Sequence, residues 1–389
     1  MSDWEIVEES KDTAIIKVIG VGGAGGNAVQ HMVEGGIEGA DFICVNTDKQ
    51  ALDKLEATTK LILGKNITDG LGAGANPEVG REAALEDRDR VRELLKGSDM
   101  VFVTAGMGGG TGTGAAPIVA QVAKEVGALT VAVVTKPFEL EGSKRMDIAK
   151  EGINELVEEV DSLITIPNQK LLEVLGQDCS VIEGFKQAND VLAGAVRGIS
   201  DIIIQPGLIN VDFADVRTVM SEKGTAMMGT GIGSGPDRAR LAAEQAVASK
   251  LLEDISLQDA KGVLVNITAG PDITLGEIQA VGDSIKNFAA EGAIIVSGNV
   301  IDEKVGNELI VTVIATGLGA SSSVIRREVN KKVSSLEEKK TLPLSPAARE
   351  YLENPPKIGK KVEQQSKEAK QIKGDDYLDI PSFVRTQLD

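Results

Sequence analysis

Residues 106 to 114 read Gly-Met-Gly-Gly-Gly-Thr-Gly-Thr-Gly, directly after the apolar run Met100-Val101-Phe102-Val103-Thr104-Ala105 and directly before Ala115-Ala116-Pro117-Ile118-Val119-Ala120. Strand, glycine loop and helix in that order make an anion cradle. Glycines carry no Cβ, so backbone N–H groups can approach a phosphate, and the helix N-terminus that follows adds the positive end of its dipole. A flexible linker is seldom pinned between a buried-type strand and a helix, so the segment is read as the seat of a polyphosphate. It is not a P-loop, because no G-x-x-x-x-G-K-[ST] occurs and the segment has no lysine to reach the β and γ phosphates. Charge neutralisation is therefore expected from a bound Mg²⁺, the hydroxyls of Thr111 and Thr113, and the helix dipole.

A second glycine segment lies upstream, where Ile15-Ile16-Lys17-Val18-Ile19 runs into Gly20-Val21-Gly22-Gly23-Ala24-Gly25-Gly26-Asn27. It contains G-x-G-x-x-G, and Asp48 follows the next apolar run, Phe42-Ile43-Cys44-Val45-Asn46, at about the distance of a ribose-binding acid. A nicotinamide oxidoreductase is thus a rival reading. Against it, a dinucleotide needs one such loop, whereas two on parallel strands suit a triphosphate held from two sides.

Further along, Asn210, Asp212 and Asp215 precede and open a short helical pattern. Two carboxylates three residues apart can share the face of a first turn and orient a water or a hydrated Mg²⁺. Equally, Asp212 could cap the helix while Asp215 favours its N-terminal dipole. The residues alone leave both readings open.

Composition narrows the classes. The chain has 389 residues, enough for two domains and a tail, and a net charge of -18 that argues against a large nucleic-acid footprint. Cys44 and Cys179 offer neither a disulfide framework nor a metal spacing, which fits a reducing cytoplasm. The acidic start and the lack of any long apolar run predict no signal peptide and no direct membrane insertion. His31, the single histidine, is read as an ordinary helix residue. No metal site built from protein side chains is expected.

Strand candidates at 15–19, 42–46, 60–63, 101–105, 130–135 and 162–166 alternate with helices, which predicts a parallel sheet. One helix is expected from Asn76 as N-cap through Arg92, ending before Gly97. A long helix is expected over about 179–204. A second α/β unit follows, with helices near 213–222, 236–252 and 275–289 and strands near 262–268, 292–298 and 308–316. Residues 320–374 read as a disordered linker with thirteen basic and seven acidic residues, spanning roughly 40 Å as a random coil. An apolar stripe of Ile380, Phe383, Val384 and Leu388 returns in the last fifteen residues.

Gly-Gly-Gly-Thr-Gly-Thr-Gly at 108–114 resembles the signature of the tubulin/FtsZ superfamily of GTPases. The likeness to its bacterial cell-division branch extends from 12 to 318. It includes Asn46-Thr47-Asp48, Thr135-Lys136-Pro137-Phe138, Ile166-Pro167-Asn168 and Asn210-Val211-Asp212-Phe213-Ala214-Asp215. It resumes at Asp376-Tyr377-Leu378-Asp379-Ile380-Pro381, similar to that family's carboxyl-terminal partner-binding peptide.

The resemblance implies an α/β fold: a flexible start (1–11), a parallel-sheet GTP-binding domain (12–178), a long central helix (179–205), a second α+β domain (206–319), the linker (320–374) and the peptide (375–389). It implies that GTP and GDP are held by Gly22, Gly23, Ala24, Gly25, Gly26 and Asn27 on one side. Gly108, Gly109, Gly110, Thr111, Gly112 and Thr113 would hold the other. Glu141 and Arg145 match positions near the ribose and phosphates, Asn168 lies in a matching motif, and Phe185, Asn189 and Asp190 match guanine-reading positions. If Asp190 touches the base, the roughly twenty intervening residues at about 1.5 Å each place Asp212 some 30 Å away, so the acids would serve a neighbour's nucleotide in a head-to-tail filament. In that reading Asp212 and Asp215 polarise the attacking water and Asn210 positions it. A contractile Z ring at mid-cell, and membrane adaptors resembling FtsA and ZipA bound through 375–389, are also implied.

Overall fold

Ile16–Val21 is apolar toward both sides and forms a strand, β1, with Ile16 and Val18 in one core layer and Ile19 and Val21 in the other. The computed structural model describes residues 14–176, 179–205, 211–222, 224–249, 260–286, 288–290 and 292–318. Residues 1–11, Asn210, the 320–374 segment and the 375–389 peptide lie outside the described residues.

After β1 come α1 (Gly22–Glu34), β2 (Ala40–Asn46), α2 (Lys49–Asp53), β3 (Thr59–Ile62), α3 (Lys65–Thr68), α4 (Pro77–Glu86), α5 (Arg88–Leu95) and β4 (Met100–Gly106). The chain continues through α6 (Thr111–Glu125), β5 (Leu129–Lys136), α7 (Ser143–Glu159), β6 (Ser162–Pro167), α8 (Asn168–Leu175) and α9 (Val181–Ile204). Then follow α10 (Phe213–Met220), β7 (Thr225–Ser234), α11 (Arg238–Val247), β8 (Gly262–Ala269), α12 (Leu275–Lys286), β9 (Ile294–Ile301) and β10 (Glu308–Leu318).

Among the described residues ten strands join one sheet in the order β3-β2-β1-β4-β5-β6-β7-β10-β8-β9. The first six are mutually parallel, and the order reverses between β1 and β4. In open α/β sheets that reversal opens a crevice at the carboxyl edge where ligands bind. Both glycine segments leave the sheet there. β7 extends the sheet by pairing parallel to β6 at Leu163–Thr225 and Ile164–Ala226, and β10 runs antiparallel to β7 and β8. Among the described residues no helix is long and apolar enough to cross a membrane.

Two features differ from expectation. The helix read from Asn76 to Gly97 is two helices, broken at Asp87, whose carboxylate accepts hydrogen bonds from the Gly64 N–H (2.7 Å) and from Arg90 Nη1 (2.8 Å). That tie to the segment after β3 bends a sequence whose local propensity is helical throughout. Strand β7 carries Gly229, Gly231 and Gly233 and gave no strand pattern. The reason is close helix packing: a Cβ on Gly231 would lie 2.1 Å from the Ala242 carbonyl oxygen, and one on Gly233 2.0 Å from that of Arg238, both on α11.

The long helix α9 starts with a reciprocal cap, in which Glu183 N donates to Ser180 Oγ (3.2 Å) and Ser180 N donates to Glu183 Oε2 (2.9 Å). Near its other end Asp201 is buried in a polar cavity of about 280 Å³ shared with Arg197, Asp302 and Lys304. Burial pushes the Asp201 carboxyl up from 3.8 to about 6, with Asp302 adding to the rise and Arg197 opposing it. The cost of ionising it in the fold is absent below about pH 4 and complete above about pH 6. Asp201→Asn should therefore raise chemical stability above pH 6 by up to about 3 kcal/mol and change little below pH 4, as read by urea unfolding across that range.

Candidate active site

The first glycine segment is not a loop but the opening of α1, and close approach requires glycine at Gly22 and Gly25. A Cβ on Gly25 would sit 2.4 Å from the Thr104 carbonyl oxygen of β4. Gly22, at φ +75°, faces the second segment, where a Cβ would come within 2.8 Å of Gly112 N. The two glycine segments therefore abut. Among the described residues no side chain caps α1, after Val21, or α6, after Gly110, so the first N–H groups of two neighbouring helices are left for another acceptor. At Gly23 and Gly109 a Cβ would meet no atom of the described residues within 4 Å, which leaves open space on each segment. A cradle of free N–H groups facing such space fits a phosphate chain.

The threonines do other work than expected of them. Thr113 Oγ1 accepts from Gly108 N (2.8 Å) and so shapes the turn, while buried Thr111 shares a 2.6 Å hydroxyl bond with buried Thr47. Their hydroxyls brace the cradle from within. Glu141 pairs with Arg145 at 3.0 Å and accepts from Phe138 N at 2.8 Å. The Arg145 backbone crosses Gly108 so closely that a Cβ there would approach the Arg145 carbonyl oxygen to 2.6 Å. That contact brings the ribose and phosphate candidates against the second segment.

Asn168 opens α8 beside the same edge; it is buried, and its Oδ1 has no hydrogen-bond partner among the described residues. A buried unpaired amide oxygen is costly unless a ligand donor satisfies it. On α9, half-exposed Phe185 meets buried Phe138 edge to face, ring centroids 5.2 Å apart at 87°, and both line a cleft of about 350 Å³. Asn189 is partly buried, whereas Asp190 is exposed and joined to His31 Nε2 at 2.6 Å. His31 is thus no ordinary helix residue: it ties α1 to α9.

Asp212 and Asp215 sit elsewhere. Asp212 occupies the N-cap position of α10 but its side chain makes no cap hydrogen bond, and both carboxylates are exposed without a hydrogen-bond partner among the described residues. Two residues on, Arg217 Nη2 donates to the Asp99 carbonyl oxygen (3.4 Å) at the amino end of β4, while the glycine segment follows its carboxyl end. Seven strand residues separate these ends by about 23 Å. From Asp190 to the end of α9 at Ile204 is a further measure, about 21 Å of helix. The acids and the cradle lie on opposite edges of the sheet. Among the described residues no three His, Cys, Asp or Glu form a group that could hold a metal ion.

Residues 15–176 match the family model described as Tubulin/FtsZ family, GTPase domain, and residues 224–319 match FtsZ family, C-terminal domain. The chain belongs to the tubulin/FtsZ family. It is a cell-division GTPase of that family. It is 57% identical over 396 residues to the cell division protein FtsZ of Pseudomonas aeruginosa, covering 99% of this chain and 100% of that protein. With the same protein of Coxiella burnetii it shares 56% over 383 residues, 98% of each chain. Among solved structures, an empty FtsZ dimer from M. jannaschii superposes with a TM-score of 0.76 at 43% identity, covering 80% of this chain and 90% of that one.

Within the tubulin/FtsZ frame the nicotinamide reading loses its acid. Asp48 Oδ1 accepts from Gln50 N (2.8 Å) and Ala51 N (3.1 Å) and so caps α2. Sequence reasoning missed Phe138, Thr47 and the partnership of His31. Phe138 lies in the Thr135-Lys136-Pro137-Phe138 motif, but only the fold brings it to Phe185.

Proposed function

We propose that this GTPase hydrolyses GTP at a site completed between two copies of the chain stacked head to tail. The observation that carries the reading is the separation of the phosphate cradle from Asp212 and Asp215 by the full length of strand β4. A carboxylate that cannot approach its own nucleotide can meet one only on a second copy, and such a heterologous contact grows as an open filament. The segments opening α1 and α6 bind the phosphates through backbone N–H groups, Glu141 and Arg145 lie by the ribose, and Asn168, Phe185, Asn189 and Asp190 take the guanine. Across the contact Asp212 and Asp215 polarise the attacking water and Asn210 positions it. Mg²⁺, when bound, neutralises charge on the phosphate oxygens.

Self-association is consistent with the dimer described for the M. jannaschii relative. In the cell the filaments would form the division ring at the inner face of the membrane. FtsA- and ZipA-like adaptors would bind through residues 375–389, where Ile380, Phe383, Val384 and Leu388 suit a hydrophobic groove. Light scattering with parallel phosphate release tests the reading: GTP with Mg²⁺ should drive assembly above a threshold protein concentration, with hydrolysis rising at the same threshold and GDP supporting little. Hydrolysis strictly proportional to concentration, with no threshold, would contradict a shared site.

A further inference from the structure

Helices α1 and α9 are tied at two points. His31 Nε2 lies 2.6 Å from Asp190 Oδ1, and Arg197 Nη2 donates to the Gly35 carbonyl oxygen at 2.8 Å. Both ties join residues in the same chain order, so the two helices run alongside each other from the cradle outward. His31 stands nine residues beyond Gly22, about 13 Å along α1 from the phosphate end. A nucleotide whose phosphates sit on the first turn of α1 and whose base reaches α9 would end near this pair. An aspartate carboxylate only accepts, so the imidazole Nε2 carries the proton, and the second carboxylate oxygen stays available. Asp190 is 42% exposed and lines a cleft of about 440 Å³ with Leu175, Glu183 and Lys186, so a ligand has access to it.

We propose that His31 is a positioning residue for base recognition, whose Nε2–H holds Asp190 Oδ1 and thereby turns the other oxygen toward the paired N–H donors on the guanine edge. The proposal rests on Asp190 as a guanine-reading residue. An exposed aspartate on a helix otherwise samples several rotamers, and only one presents a carboxylate edge-on to a base. His31 restricts that choice before the base arrives, which lowers the entropy lost on binding.

The test is nucleotide affinity in the full chain, measured by competition for GTP and for inosine triphosphate, which lacks the guanine 2-amino group. His31→Leu should weaken GTP about tenfold but inosine triphosphate far less, and His31→Gln, which keeps an N–H donor, should recover most of the preference. Thermal unfolding of the nucleotide-free variants confirms that each is folded. If His31→Leu weakens both nucleotides equally, or neither, positioning is overturned. Asp190→Asn separates the two claims: it should abolish the preference and make His31→Leu silent when combined. A preference that survives Asp190→Asn would remove the base-reading assignment and this proposal with it. A preference that falls in Asp190→Asn but not in His31→Leu would remove this proposal alone.

Discussion

Asp212→Ala and Asp215→Ala should each keep GTP affinity close to that of the parent chain and lower hydrolysis about a hundredfold or more, the range lost when a positioned acid or base is removed. Binding survives because both residues lie at the opposite sheet edge from the glycine segments, exposed and without a hydrogen-bond partner among the described residues. For the same reason neither substitution should cost more than about 0.5 kcal/mol of stability. Nucleotide titration alongside single-turnover phosphate release in assembled filaments measures both quantities. A loss of affinity equal to the loss of rate would place these carboxylates at their own nucleotide.

Arg238→Ala should destabilise the chain by about 1–3 kcal/mol, the cost of leaving the part-buried Glu277 carboxylate and the Asn307 carbonyl oxygen without their donor. The Arg238 side chain is 7% exposed, and its guanidinium meets Glu277 Oε1 at 2.6 Å, Asp272 Oδ2 at 2.9 Å and the Asn307 carbonyl oxygen at 3.1 Å. It binds the start of α11 to α12 and to the turn before β10. The guanidinium beside it, together with Thr274, holds the Glu277 carboxyl down from 4.5 to about 2. A depressed carboxyl contributes stability above its unfolded value and loses it as pH falls toward the folded one. The effect of Arg238→Ala should therefore be full near neutrality and shrink as pH falls from about 4.5 toward 2. Urea midpoints as a function of pH check this, and a pH-independent loss would mean that packing rather than charge is at stake.

What the sequence revealed follows from what each residue type can do locally. Strands such as Met100–Gly106 and Leu129–Lys136 were legible because strands covered on both faces are continuously apolar. β7 was not, because its glycines answer to α11, a partner that sequence periodicity does not show. The break at Asp87 was hidden likewise, since the donor that bends the chain is Gly64, far back along it. At the site the glycines announced themselves, for their meaning is the space a Cβ would fill. That the hydroxyls of Thr111 and Thr113 bond within the cradle is not legible in the sequence, because a threonine in a loop does not disclose which way it turns. His31 and Asp190 are 159 residues apart, and nothing in either segment names the other.

The claim that the acids of one subunit serve the nucleotide of the next is tested most directly by mixing two defective chains. Thr111→Arg places a long cation where a buried threonine meets Thr47, which should disable nucleotide binding while leaving Asp212 intact. Asp212→Ala keeps the cradle and lacks the acid. Where the two copolymerise, the nucleotide of an Asp212→Ala subunit faces the intact acids of a Thr111→Arg neighbour. Phosphate release from the mixture should exceed the sum of the two chains alone and peak near equal proportions. Mixed filaments, verified by co-sedimentation, that release no more phosphate than that sum would contradict a site shared between subunits.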